Sequence, residues 1–254
     1  MNHAHKKQQG FTLIELSLAM TFISFLLIGI AMTIIQVAAI YNRGTTSKDL
    51  NQLSREINVD IDRNISAAGS LNLSTDYVNS PASASAQTAD GGRLCLGTYS
   101  YVWNYAEALE KNNGGVAKYP AGNDAVVRLV KVEDPGSVYC TKNPRTGLLA
   151  NKDIRSQDVG KTKELLQVGD HTLGLHSFVF KTAPDSAMDA TTGQQIYSLS
   201  YIVGTTRISA LNIADSTIDP AQTACLAADE PNADPLYCNV QKFSLVVRTG
   251  NGVN

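Results

Sequence analysis

The chain contains 254 residues, of which 43% are hydrophobic and only 17% are charged, and its formal net charge is −2. Ordinary soluble domains carry about 25% charged residues, and the deficit here is concentrated in residues 11–41, where 23 of the 31 residues are apolar. This composition excludes a uniformly soluble globule, a disordered chain and a nucleic-acid binder of the strongly basic type.

The apolar segment near the N-terminus is long enough to cross a membrane. The 25 residues from Leu16 to Ile40 carry no formal charge, and about 20 apolar residues span a bilayer as a helix. Lys6 and Lys7 precede the segment, so the positive-inside rule predicts a cytoplasmic N-terminus and an external remainder. A cleaved secretory signal is the alternative, but its apolar region is usually shorter and ends in a small-residue cleavage site.

Glu15 is the only charged residue in residues 11–41. A carboxylate within a membrane is costly unless it is paired or lies at the interface. One interpretation places Glu15 at the membrane edge, where an acid in the first turn also suits the helix dipole. The other interpretation is that Glu15 awaits a positively charged partner inside the apolar layer.

The residues around Glu15 favour a charged partner. Residues 10–15 read Gly-Phe-Thr-Leu-Ile-Glu, follow a short basic leader and open the apolar segment. This arrangement resembles the class III signal of type IV pilins and type II secretion pseudopilins, and the resemblance covers residues 6–65. It implies that prepilin peptidase, a membrane aspartyl peptidase, cleaves between Gly10 and Phe11. The new N-terminus, Phe11, would then be N-methylated, and Glu15 would pair with the α-amino group of Phe11 in a neighbouring subunit.

The apolar segment is expected to continue as a helix beyond the membrane. No proline precedes Pro81, and one helix over residues 11–68 would be about 87 Å long. Because no domain of this chain is that wide, the first half (11–41) must leave the globule while the amphipathic half (42–68) lies on it. A break at Gly29, or between residues 41 and 46 near Gly44, stays open at this stage. An apolar stripe at spacings of three and four marks the buried face of the second half: Leu50, Leu53, Ile57, Ile61 and Ile65.

The remainder of the chain is predicted to be a loop followed by a β-rich head. Residues 69–93 are small and polar, which indicates a helix-to-sheet loop. Residues 94–254 contain short segments rich in Val, Ile, Tyr and Phe, and Ala106–Glu110 is expected to add a helical turn. The predicted fold class is therefore α+β, with an antiparallel sheet whose apolar face covers the helical stripe. The predicted strands are 94–103, 124–132, 137–139, 164–168, 172–181, 195–203 and 240–248.

The four cysteines all lie on the side of the membrane predicted to be external. An even number of cysteines in an oxidising compartment indicates disulfides. Three pairings are open, and local pairing is preferred, with Cys95 joined to Cys140 and Cys225 joined to Cys238. The second of these loops resembles, by position, the C-terminal disulfide loop common in pilins. A zinc site is the alternative, but the chain lacks a Cys-x-x-Cys motif.

The search for catalytic and metal-binding chemistry yields no strong motif, so the chain is predicted not to be an enzyme and to need no cofactor. His171 and His176 are five residues apart on a predicted strand and point to opposite faces. Calcium in the acidic C-terminal region is the alternative considered, but the spacing lacks a strong Ca²⁺ pattern and favours a solvated loop. That acidic region contains Asp215, Asp219, Asp229, Glu230 and Asp234.

The aromatic residues of one predicted strand raise a last alternative. At strand spacing they share one face, which favours core packing over an exposed binding surface. The set consists of Tyr99, Tyr101, Trp103 and Tyr105.

Together these features predict a type IV pilin-like subunit, and the large head favours a minor pilin. It would reside in the inner membrane with its head outside and then enter a surface pilus that supports adhesion, twitching motility or DNA uptake. The implied partners are other pilin subunits, prepilin peptidase, the membrane and an assembly platform with a separate ATPase; no direct nucleic-acid motif occurs. The alternatives are a type II secretion pseudopilin and a bitopic membrane-anchored binding protein.

Overall fold

One continuous helix and a β-rich head make up the chain, as the predicted α+β class requires. The computed structural model describes residues 12–80, 90–111, 115–120, 125–166, 173–184, 194–212, 224–235 and 237–250. Helix α1 (Leu13–Ala67) contains 55 residues and is therefore about 82 Å long. It passes through Gly29 and Gly44 without a break, so the prediction of a single helix is confirmed.

A five-stranded antiparallel meander forms the first sheet of the head, with its strands in sequence order. Residues 69–93 are not only a loop, because a short helix, the first strand and the start of the second lie within them. Asn72 caps that short helix by accepting a hydrogen bond from the backbone N–H of Ser74. The elements are α2 (Leu73–Asp76), β1 (Tyr77–Ser80), β2 (Gly91–Cys95), β3 (Tyr99–Asn104), β4 (Leu129–Glu133) and β5 (Thr162–Glu164).

The three strands predicted before residue 140 are wrong in extent or type. The single strand predicted over 94–103 is divided by a turn in which Gly97 has φ +84°, a backbone conformation that glycine adopts without strain. The strand predicted over 137–139 is instead a short 3₁₀ helix, Val138–Cys140. The carboxylate of Asp134 accepts the N–H groups of Val138 and Tyr139 and so favours a helical turn. The strand predicted over 124–132 begins only at Leu129.

A second antiparallel sheet has three strands in the order β10-β7-β6. Its strands β6 (Leu173–Thr182), β7 (Ile196–Thr205) and β10 (Val240–Arg248) lie close to the predicted segments 172–181, 195–203 and 240–248. Helix α3 (Ala106–Glu110) is present as expected. The strand predicted over 164–168 corresponds to β5, which ends at Glu164, and residues 167 and 168 lie outside the described residues. A small ribbon of β8 (Leu211–Asn212) and β9 (Ala224–Cys225) precedes the C-terminal strand.

The main core lies where the second half of α1 meets both sheets. The five stripe residues of α1 are buried, and the most exposed of them retains only 3% of its accessible surface. The alternating residues Tyr197, Leu199 and Tyr201 of β7 face the same core. The predicted packing of a sheet on the helical stripe is therefore confirmed, and two sheets rather than one provide the cover.

A long excursion between β4 and β5 covers the other face of the five-stranded sheet. The disulfide Cys95–Cys140 joins β2 to this excursion. Arg93, also on β2, is buried beneath it and donates hydrogen bonds to the carbonyls of Gly92 and Lys152. Burial lowers the pKa of the Arg93 guanidinium to about 10, so this side chain stays charged at neutral pH.

The burial of His176 predicts that the stability of the head depends on pH. It is buried at a bulge in β6, and its Nε2 lies 2.9 Å from the carbonyl oxygen of Thr205. Burial lowers its pKa from 6.5 to about 4 despite that contact. Below pH 6.5 the unfolded chain binds a proton that the folded chain excludes until about pH 4. We expect this site to remove about 3 kcal/mol of stability as the pH falls from 7 to 4.

The measurement is urea unfolding of the full chain in nonionic detergent at pH 7 and pH 4.5, for the native protein and His176→Gln. The variant keeps a donor toward Thr205 but does not titrate, so it should lose less stability on acidification than the native chain. An equal loss in both proteins would show that His176 does not set this dependence.

Candidate functional site: the two halves of helix α1

The first half of α1 is not covered by the described part of the head. Side chains from Leu13 to Ala38 are exposed, including Leu13 at 87% and Phe25 at 75% of their accessible surface. The first buried residue of the helix is Thr46. This helix is long and apolar enough to cross a membrane. Such an apolar surface on a folded chain indicates contact with lipid or with other proteins.

The serine and threonine hydroxyls between Ser17 and Thr33 are satisfied within the helix itself. Ser17 donates a hydrogen bond to the carbonyl of Ile14, and Ser24 donates one to the carbonyl of Met20. Thr21 and Thr33 bond to preceding carbonyls in the same way. In an apolar environment an unsatisfied hydroxyl is costly. These internal bonds therefore suit the helix to a lipid or protein interior.

Glu15 is held by the residue that begins the helix. Its Oε2 accepts hydrogen bonds from the backbone N–H of Thr12 at 2.9 Å and from the hydroxyl of Thr12 at 2.8 Å. The Thr12 hydroxyl oxygen in turn accepts a hydrogen bond from the backbone N–H of Glu15, which completes a capping box. Among the described residues Thr12 is the only hydrogen-bonding partner of the Glu15 side chain, and no cation pairs with it. The carboxylate stays exposed at the tip of the apolar half.

The residues predicted to flank the cleaved bond, Gly10 and Phe11, lie outside the described residues. The predicted cleavage, N-methylation and pairing with Glu15 therefore stay predictions.

The second half of α1 is fixed to the five-stranded sheet by a polar cluster that the sequence analysis missed. The Asp60 carboxylate accepts a hydrogen bond from the Tyr101 hydroxyl at 2.7 Å. It also forms an ion pair with the Lys131 ammonium group at 2.8 Å. The Asn64 amide donates to the Tyr101 hydroxyl at 2.8 Å. Burial, reinforced by the Asp60 carboxylate, raises the pKa of Tyr101 far above its usual value. The hydroxyl therefore remains a donor toward Asp60.

A second polar cluster fixes the same helix to the three-stranded sheet. The Tyr201 hydroxyl donates to the side-chain oxygen of Asn58 at 2.9 Å and lies 3.1 Å from the Ser54 hydroxyl. Gln241 on β10 donates to the Ser47 hydroxyl at 2.9 Å. Each sheet thus extends one buried tyrosine to α1. Both sheets therefore hold the second half of the helix, and neither contacts the first half.

The contribution of the first cluster can be measured with Tyr101→Phe. The substitution leaves the amide of Asn64 and the carboxylate of Asp60 without a hydroxyl partner in a largely buried place, which we expect to cost about 1–3 kcal/mol of unfolding free energy. Tyr99→Phe is the matched control on the same strand, because the Tyr99 hydroxyl makes no hydrogen bond among the described residues. Urea unfolding in nonionic detergent provides the comparison. Equal stabilities for the two variants would contradict the assigned role of Tyr101.

The remaining predicted site residues that the structure describes lie in two disulfides and in an exposed acidic loop. The cysteines form the locally paired disulfides, Cys95–Cys140 and Cys225–Cys238, which was the preferred pairing. Asp229 and Glu230 are exposed in the second loop, whereas Asp215, Asp219 and His171 lie outside the described residues. Within the described part of the chain, no group of three or more His, Cys, Asp or Glu side chains is placed to hold a metal ion.

Three of the four aromatic residues on β3 and its C-terminal neighbour belong to the core, whereas Tyr99 at the start of β3 is half-buried. Tyr101 and Trp103 are fully buried, and Tyr105 retains 6% of its accessible surface. Trp103 packs on Phe178 of β6 with ring centroids 4.3 Å apart. The interpretation as an exposed aromatic surface is therefore excluded for these three residues.

Comparisons with protein-family models, curated proteins and solved structures find no match to this chain.

Proposed function

We propose that this chain is a type IV pilin-like subunit, most simply a minor pilin, that polymerises through the first half of α1. The observation that carries the proposal is the division of one continuous helix into two parts. The second half is the core of a folded head, whereas the first half exposes an apolar surface with one carboxylate at its tip. A filament subunit that waits in a membrane needs this division.

The exposed half suits two successive environments. As a single helix of sufficient length, it can be buried in a bilayer before assembly. The same surface can pack against identical helices in a filament core, where dispersion contacts replace those with lipid. Because its hydroxyls bond internally, neither environment leaves these groups unsatisfied. The transfer from membrane to filament then leaves the head unchanged.

Glu15 supplies the specificity of this assembly. A buried carboxylate needs a positive partner, and Thr12 supplies only hydrogen bonds to it. Cleavage after Gly10 would create an α-amino group at Phe11. That amine, on a neighbouring subunit, is the proposed partner of Glu15, and the pairing would set an axial stagger between subunits.

The size of the head and the sequence motifs support a minor subunit that depends on a separate motor. The segment after α1, residues 68–254, is large for the main subunit of a pilus, and this supports a minor subunit. The sequence contains no Walker A motif, so extension or retraction would depend on a separate ATPase. Adhesion, twitching motility or DNA uptake would follow from display of the head on the cell surface.

The location of the mature chain tests the proposal. Filaments are sheared from intact cells, purified and probed with an antibody against the head, with a strain deleted for the gene as control. We expect the chain in the sheared fraction. Recovery only in the membrane and periplasm would instead favour a type II secretion pseudopilin or a bitopic anchored protein.

A further inference from the structure

The three-stranded sheet has one face that the helix does not cover. Tyr201 and its alternating neighbours point toward α1, so the residues between them define the opposite face, here called the outer face. The end of this face that contains Ile196 and Val246 is exposed, and these side chains retain 40% and 68% of their accessible surface. The strand register aligns the following side chains on this face, of which Ser177 and Ile202 are buried: Ser177, Val179, Lys181, Ile196, Ser198, Ser200, Ile202, Lys242, Ser244, Val246 and Arg248.

Charge on this sheet is of one sign. None of the residues in β6, β7 and β10 is Asp or Glu, although the whole chain has a net charge of −2. Lys181, Lys242 and Arg248 are all exposed on the outer face. Among the described residues, neither lysine forms an ion pair. Asp185 and Asp189, in the β6–β7 connection, lie outside the described residues.

Hydroxyl groups occupy the space between the cations. Ser198, Ser200 and Ser244 lie on adjacent strands of the outer face, and within the described structure their side chains make no hydrogen bond. Serine hydroxyls and Lys or Arg side chains are the groups that contact phosphate oxygens of nucleic acids. Among the strand residues aligned on this face, no side chain is aromatic and able to stack with unpaired bases. The chemistry therefore favours a continuous backbone of phosphates over single-stranded bases.

We propose that the outer face binds the phosphate backbone of duplex DNA without sequence preference. Lys242 and Arg248 are six residues apart on β10, about 20 Å, and Lys181 lies two strands away, about 10 Å across the sheet. The three cations thus span about 20 Å along the strands and about 10 Å across them. Charge complementarity selects the partner, and no linear nucleic-acid motif marks the face because its residues come from three strands.

This inference deepens the proposed function, since display of the outer face at the cell surface depends on the filament. Its binding chemistry does not depend on polymerisation. The full chain in nanodiscs of zwitterionic lipid therefore tests DNA binding alone, whereas processing at Gly10 and recovery in filaments test the subunit role.

The measurement is fluorescence anisotropy of a labelled 30-base-pair duplex at several salt concentrations. Three phosphate contacts predict a slope of about −2.7 in log K against log salt, or about a 40-fold loss of affinity between 50 and 200 mM salt. Lys181→Gln/Lys242→Gln/Arg248→Gln should lose at least tenfold in affinity. The matched control, Lys142→Gln/Lys161→Gln/Lys163→Gln, removes three exposed cations elsewhere on the head and should bind like the native chain.

A single substitution, Ser200→Glu, provides a second measurement that keeps all three cations. It should also weaken binding, because the new carboxylate faces the phosphates. Equal weakening in both triple variants, or no binding by the native chain at 50 mM salt, would overturn the proposal. Binding to phosphatidylglycerol vesicles without binding to the duplex would also overturn it and would indicate an anionic lipid surface instead.

Discussion

Glu15→Val should leave the chain inserted in the membrane, cleaved and folded, but should nearly abolish its incorporation into filaments. The substitution removes a carboxylate that hydrogen-bonds only to Thr12 among the described residues. The folding of the head should therefore be unchanged. In a filament, however, the Phe11 amine of a neighbouring subunit would lose its counter-charge in an apolar core. Breaking one side of a buried ion pair costs about 3–5 kcal/mol. That cost corresponds to a decrease in incorporation of about 10²-fold or more.

The comparison needs a control in the same half of the helix. Ser24→Val also replaces a polar side chain by valine, but the Ser24 hydroxyl bonds only to its own helix, so incorporation should stay near the native level. Quantitative immunoblots of sheared filaments and of membranes provide the ratio for each strain. If the Glu15 variant entered filaments as well as the Ser24 variant, the pairing role of Glu15 would be wrong.

Gly10→Val should block removal of the leader and hold the precursor in the membrane. A side chain at position 10 would crowd the bond that the peptidase must reach. The retained leader contains Lys6 and Lys7, and two cations cannot enter an apolar filament core without large cost. The expected result is a single membrane-bound species of precursor mass and no chain in sheared filaments.

Gly29→Ala is the matched control for this experiment. A Cβ atom added at Gly29 meets no atom within 4 Å. Alanine also favours the helix by about 1 kcal/mol relative to glycine. This variant should be processed at the native rate. Cleavage of the Gly10 variant at the native rate would place the recognition of the leader elsewhere.

The long helix was predictable because its information is local. The stripe from Leu50 to Ile65 has helical spacing, and it is buried as expected. The alternation of Tyr197, Leu199 and Tyr201 likewise predicted which face of β7 meets the core. Such periodic patterns depend on neighbours within a few residues, so they survive without knowledge of the tertiary structure.

The polar clusters that hold α1 were not predictable in the same way. Asp60 lies 41 residues from Tyr101 and 71 residues from Lys131. An acid between two apolar turns of a helix has the same sequence pattern whether it is solvated or paired. The division of one predicted strand at Gly97 was missed for a similar reason, because a turn with positive φ also depends on which strands pair on either side of it.

The outer face of the three-stranded sheet shows the same limit. Lys181, Lys242 and Arg248 are spread over 68 residues of sequence, and only the register of the strands places them on one surface. The near-neutral net charge of the chain conceals this segregation. For the candidate assembly site, in contrast, residues 10–15 already contain the predicted signal, and the structure adds that Glu15 is exposed and held by Thr12.

The most direct test of the central claim is intact mass spectrometry with N-terminal sequencing of the mature protein from peptidase-competent cells. The account predicts a chain that begins at N-methylated Phe11, lacks residues 1–10 and retains the entire apolar half of α1. A mature chain that keeps the ten-residue leader, or one that is cut after the apolar segment, would contradict it.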